Sequence, residues 1–324
     1  MSKKIITITG AAGNIAYSLI FRILSGSIFP QDIKIQINLL DITPVLPSLT
    51  GIKFEIEDCA FRNLDHVMIT DNPELAFSES DYILMVGAKP RTKGMQRADL
   101  LLDNASIFKK QAEIINKAAK KTTKVIVVGN PANTNALILQ HNAHNLPAEN
   151  FSSLMKLDQN RAKSVLSDKL NQKVEDIKKL IVWGNHSATQ YPDINHVLIN
   201  NSRDLINSLD SRWIEKTFIP RIQNRGAEII EHRGKSSAAS AASAIYDHLN
   251  ILVNGSNDWV SMGVIRKNSY DISSDIFFSF PLKVEQNIIS VVDNIEISDL
   301  SYKYIKESEK ELLTERNIIR DLLD

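Results

Sequence analysis

The first half of the chain alternates short Ile- and Val-rich runs with helical stretches, and few folds satisfy that alternation. The runs are "KIITIT" (4–9), "KIQINLLD" (34–41), "HVMIT" (66–70), "DYILMVGA" (81–88) and "KVIVVGN" (124–130). They are mostly apolar without alternation, which fits strands covered on both faces. Helical patterns lie between them at 16–24, 49–60 and 104–120. Strand, helix, strand in repetition predicts an α/β fold with a doubly wound parallel sheet.

From about residue 151 the pattern changes. Long helices are expected at 152–170 and about 213–252, around "KLIVWGNHSATQYPDINHVLIN", and strands return in "WVSMGVI" and "FFSFPL" before a charged C-terminal helix over 297–324. The expected organisation is a Rossmann-type doubly wound domain over 1–150 and a mixed α+β domain over 151–324. No repeat or low-complexity linker separates them, so they are expected to pack together.

Lys plus Arg and Asp plus Glu both number 38, and a net charge of zero argues against a general nucleic-acid binder. The single cysteine, Cys59, excludes an intramolecular disulfide and a Cys/His zinc cluster of the usual spacing, so no metal is expected. The N-terminal apolar run is too short for a signal peptide, and no stretch approaches the roughly twenty apolar residues of a membrane span. A soluble, cytoplasmic protein is the expectation.

"ITITGAAGNIAYSLI" places Gly10 and Gly13 at a strand-to-helix turn among Ala11, Ala12, Asn14, Ile15 and Ala16. Glycines permit a tight turn and close approach to a pyrophosphate, whose charge the helix N-terminus stabilises. The spacing is G-x-x-G-x-x-A, which alone also describes ordinary turns. Asp41, at the end of the second strand, adds context. A carboxylate there can hydrogen-bond the adenosine ribose and repel a 2′-phosphate, which favours NAD over NADP.

In "SSLMKLDQNRAKSVL" the charges Asp158 and Arg161 interrupt an apolar stripe of Leu154, Leu157, Val165 and Leu166, one turn apart on one helix face. A surface ion pair would account for them at little energetic value, but charges on a buried face require partners or a function. Among seven histidines, His186 stands in a small-residue loop, "GNHSATQYPD", directly after an apolar strand. An imidazole there can take a proton from an alcohol, with Asp158 fixing its tautomer. Arg91 and Arg97 lie six residues apart in "AKPRTKGMQRADLL", which reads as a polyanion patch, a solvated loop, or a lid closing over a small anion.

Together these stretches resemble the lactate/malate dehydrogenase family, and within it the cytosolic type of NAD-dependent malate dehydrogenase. The resemblance runs nearly end to end through "TGAAGNIAYSL", "LLDITP", "EDCA", "GMQRADLL", "KVIVVGNPANTN", "LDQNRAK", "GNHSATQYPD", "SSAASAA", "VSMGVI" and "SFP". It implies hydride exchange between malate and NAD, as in the tricarboxylic acid cycle, and a homodimer. It makes His186 the proton acceptor, Asp158 its orienting partner and Arg161 a bidentate clamp for the substrate carboxylate. Asn130 would touch substrate and nicotinamide ribose, with backbone atoms of Val128 and Gly129 nearby. Asn104 and Gln111 match cofactor-contact positions, and Ser240 a position beside the substrate. The opening loop becomes a lid in which Arg97 polarises the C2 carbonyl and Arg91 holds the distal carboxylate.

The sequence departs from the cytosolic pattern at Thr92, Lys93 and Ala239 and over "PSLTGIKFE", without losing a catalytic group. Lactate dehydrogenase is the rival enzyme, and it holds an uncharged residue where Arg91 stands. A short-chain dehydrogenase would need Tyr-x-x-x-Lys, matched only by Tyr302 and Lys306 in the charged C-terminal helix. A non-catalytic nucleotide-binding protein would have been free to lose His186 or Arg97.

Overall fold

The computed structural model describes residues 3–89 and 97–323, Arg97 by its backbone alone. In the first half, β1 (Lys3–Thr9), α1 (Asn14–Ser25), β2 (Lys34–Leu40), α2 (Leu46–Asp58), β3 (Leu64–Thr70), α3 (Pro73–Phe77), β4 (Tyr82–Met85), α4 (Arg97–Ala118), β5 (Lys124–Val127), α5 (Ala132–Asn142) and β6 (Phe151–Leu154) follow in order. The second half contributes α6 (Lys156–Leu170), β7 (Ile177–Lys178), β8 (Ile181–Trp183), β9 (Tyr191–Asp193), β10 (Leu198–Ile199), α7 (Asp204–Asn207) and α8 (Ser211–Trp213). After these come α9 (Ile219–Arg233), α10 (Ala239–Asn254), β11 (Val260–Val264), β12 (Phe278–Glu285), β13 (Ile288–Val291) and α11 (Asp299–Ile318).

Nine strands form one sheet in the order β13-β12-β11-β6-β5-β4-β1-β2-β3. From β3 to β6 every pairing is parallel. The doubly wound sheet read from the sequence is therefore present. Its order reverses between β1 and β4, and the crevice at the carboxyl ends of those strands is where such folds bind ligands. Strands β11, β12 and β13 of the second half extend the same sheet antiparallel, beginning where Met262 of β11 pairs with Leu154 of β6, while β7 pairs with β10 and β8 with β9 in two small antiparallel ribbons.

Two expected helices are corrected. Residues 152–154 are not helical but belong to β6, every residue of which is buried, because Val125–Val127 offers it a parallel ladder. The long helix expected over 213–252 is divided by Gly234, which takes φ +68° as the C-cap of α9. One buried cluster joins Ile6, Ile20 and Leu84 to Trp183, Leu249 and Leu312, and a second joins Phe108 and Val127 to Phe277 and Ile319, so both core clusters span the two halves. No described helix is long and apolar enough to cross a membrane.

Candidate active site

Gly10 follows β1 with φ +62°, a conformation that favours glycine, and a Cβ there would lie 2.5 Å from the Gly87 Cα just after β4. This close approach opens the crevice between the two strands. Gly13 caps α1 without a side-chain hydrogen bond, and no acidic residue occupies the first turn. The positive helix end is thus left for an anion near Asn14 and Ile15. Ala11 and Ala16 are fully buried and shape the turn by packing. The amide of Ala12 donates to Asp41 Oδ2 at 2.9 Å, and Asp41 Oδ1 accepts from Ile42 at 2.8 Å. Asp41 thereby anchors the turn and still lines the cavity beside it.

That cavity, about 620 Å³, is bounded by Gly10, Asp41, Thr43, Asp71, Lys89 and Gln111 among others. Gln111 Oε1 is buried with no hydrogen-bond partner among the described residues, an acceptor left open at the cavity wall. Asn104 serves differently. It is fully buried, and its side chain clasps the backbone of Lys89, accepting from N–H at 2.8 Å and donating to the carbonyl at 3.2 Å. It holds the chain where it leaves β4.

A second cavity of about 280 Å³ is lined by Leu101, Asn130, Pro131, His186, Ser187 and Glu315, among others. Asn130 is exposed and faces this space with His186. The N–H groups of Val128 and Gly129 both go to Met85 O at 3.0 Å, and Gly129 O accepts from Asn135 at 2.8 Å. These backbone atoms are used to build the turn after β5 rather than left open as donors.

The structure brings His186 and Asp158 together. His186 Nδ1 lies 2.5 Å from Asp158 Oδ2, and Asp158 is wholly buried. Asp158 Oδ1 accepts from Arg161 at 3.1 Å, so the i,i+3 pair is an interior one, the Arg161 side chain being 13% exposed. Burial pushes the Asp158 carboxyl up, but the charge and hydrogen bond of His186, the charge of Arg161 and a hydrogen bond from Gln190 outweigh it and hold the group below the usual carboxylate range. An ionised carboxylate only accepts, so the Nδ1 of His186 carries the proton and Nε2 is the basic face.

The His186 N–H donates to Asn133 Oδ1 at 3.2 Å, and Asn133 in turn donates to Gly184 O and Phe277 O. Asn133 reads in the sequence as a turn former beside Pro131, and Gln190 carries no signal beyond lying in the His186 motif. Both position the pair. Ser240 is exposed in the first turn of α10, and among the described residues no hydrogen bond ties it to His186. Arg91 lies outside the described residues. Arg97 opens α4, and its guanidinium lies outside the description. Among the described residues no cluster of His, Cys, Asp or Glu could hold a metal ion.

Models of the lactate/malate dehydrogenase NAD-binding domain and of the lactate/malate dehydrogenase alpha/beta C-terminal domain match residues 4–152 and 155–321. The chain belongs to the lactate/malate dehydrogenase family. It is therefore an NAD-dependent 2-hydroxy-acid dehydrogenase, and the glycine turn and the Gln111 cavity fit the dinucleotide. Malate dehydrogenase from Naegleria fowleri is 40% identical with a TM-score of 0.96, each chain covered to 99%. A leucine-to-arginine variant of Trichomonas vaginalis lactate dehydrogenase is 37% identical with a TM-score of 0.94, covering 100% of this chain and 99% of that one. The same Trichomonas enzyme in complex with NADH and oxamate is also 37% identical, with a TM-score of 0.93 and 99% of each chain covered.

Proposed function

We propose that this family member is a malate dehydrogenase, oxidising (S)-malate reversibly to oxaloacetate. The observation that carries the reading is Arg91, a cation in the segment between β4 and α4. A substrate with a second carboxylate needs such a partner, and pyruvate, with one, does not. The likeness to the Naegleria malate dehydrogenase supports the same choice.

In malate oxidation His186 Nε2 accepts the proton of the C2 hydroxyl, and the imidazolium that forms is stabilised by the buried charge of Asp158 at Nδ1. Arg161 has further guanidinium donors beyond the one given to Asp158, and these bind the carboxylate next to C2. Asn130 borders the same cavity and orients the substrate beside His186. Arg97 polarises the C2 oxygen and Arg91 holds the distal carboxylate. The turn at Gly10–Ala16, with Asp41 and Gln111, would hold NAD⁺, which when bound would supply the acceptor for the hydride from C2. Tricarboxylic acid cycle chemistry, a cytoplasmic location and a homodimer complete the proposal; the exposed thiol of Cys59 suits a reducing compartment, and the exposed Phe54 and Ile230 are candidates for a subunit contact.

The similarity to the Trichomonas lactate dehydrogenase gives a second reading, reduction of pyruvate. One assay separates them: kcat/KM for oxaloacetate and for pyruvate, each with NADH and with NADPH. Oxaloacetate with NADH is expected to be the best pair. A higher kcat/KM for pyruvate would sink the malate reading and leave the family intact.

A further inference from the structure

The loop that carries His186 is held from behind by the C-terminal helix. At its head Gly184 takes φ +92°, and any Cβ there would collide with Ser308 of α11. Ser308 Oγ accepts the Asn185 N–H at 2.8 Å and lies 3.0 Å from Thr189 Oγ1. One turn further along the helix, Glu311 Oε2 accepts from Ser187 Oγ, from Thr189 Oγ1 at 2.6 Å and from Asn185 Nδ2 at 3.0 Å. Glu315 then receives Thr134 Oγ1 at 2.5 Å and Asn185 Nδ2 at 3.3 Å, tying the helix to α5 as well.

We propose that Glu311 is a positioning residue for hydride transfer: by gathering Asn185, Ser187 and Thr189 onto one carboxylate oxygen it fixes the 185–189 loop, and with it the direction in which His186 presents Nε2. The residues on both sides of His186 are bound to this one oxygen. The imidazole itself is held at Nδ1 by Asp158 and at its backbone by Asn133, so a shift of the loop would turn the ring about the Asp158 contact. Three convergent donors favour a carboxylate, whose charge-assisted hydrogen bonds are roughly twice as strong as neutral ones. A misplacement of about 1 Å at a reacting group lowers rate by about 100-fold. The inference rests on the family's activity and not on the choice between malate and lactate.

Glu311→Ala and Glu311→Gln, made in the full chain, are to be assayed on whichever 2-hydroxy acid the wild type oxidises best. Expressing kcat per NADH-binding site, titrated by fluorescence, removes misfolded molecules from the comparison. The expected result for Glu311→Ala is a fall in kcat of about 10- to 100-fold with NADH affinity unchanged. Glu311→Gln should recover part of the loss, because its carbonyl still accepts from the two hydroxyls. Wild-type kcat per site in Glu311→Ala, or a loss of NADH affinity in step with kcat, overturns the proposal. If Glu311→Ala does not fold, a Ser187→Ala, Thr189→Val double variant removes two of the three donors and leaves the helix intact. A fall of about 10-fold or more there supports the role, and a smaller one overturns it.

Discussion

At the scale of single residues, the site rests on one buried carboxylate with three partners. Asp158 receives His186, Arg161 and Gln190, and together they hold the buried group ionised. The arrangement leaves Nε2 of His186 as the basic atom at the cavity, so removing it should affect proton transfer and nothing upstream. His186→Asn is expected to bind NADH as the wild type does while turnover falls by about 10² to 10⁴. Fluorescence titration and steady-state rates on one preparation check this, and an active His186→Asn enzyme would remove the proposed base. Asp158 and Arg161 were legible in the sequence because two charges interrupt an apolar stripe. Glu311 was not, because it lies among other charges on "KESEKELLTER", and its partners are more than 120 residues away in the chain.

At the scale of elements, the contact between β6, α6 and α10 carries its own titrating group. His248 of α10 is wholly buried, with Nε2 3.0 Å from Ser152 Oγ of β6 and Nδ1 without a partner among the described residues. Burial, with the charge of Lys156 at the start of α6, pushes its pKa down to about 3. The unfolded chain binds this proton below about pH 6.5 and the folded one only near pH 3, so stability rises with pH across that window and is flat above it. The slope is roughly 1.4 kcal/mol per pH unit. Urea unfolding of His248→Asn between pH 7 and 4 should therefore lose stability less steeply than the wild type, and parallel curves would show that His248 is not the cause. The same elements show why β6 escaped a sequence reading. "FSSLMKL" satisfies strand and helix patterns over so few residues that the choice falls to a partner, β5, more than twenty residues earlier.

At the scale of the whole molecule, the two family-matching segments meet inside one sheet and not across a linker. Five of the six parallel strands were readable from local runs, because each announces itself by composition. The antiparallel continuation was not, because "WVSMGVI" and "FFSFPL" do not say which edge they extend. β11 closes on β6 through Met262–Leu154 and Gly263–Ser153, and the main core takes side chains from both halves. Exposing the second half would strip one edge of β6 and open that core, so neither half should survive the other. The three tryptophans, Trp183, Trp213 and Trp259, all belong to the second half, whereas far-UV circular dichroism reports helices and strands of both. In a urea titration at fixed protein concentration the two signals should trace one coincident transition. Tryptophan emission changing first, with a later loss of ellipticity, would mean that the first half persists alone and that β11 contributes little to holding the sheet together.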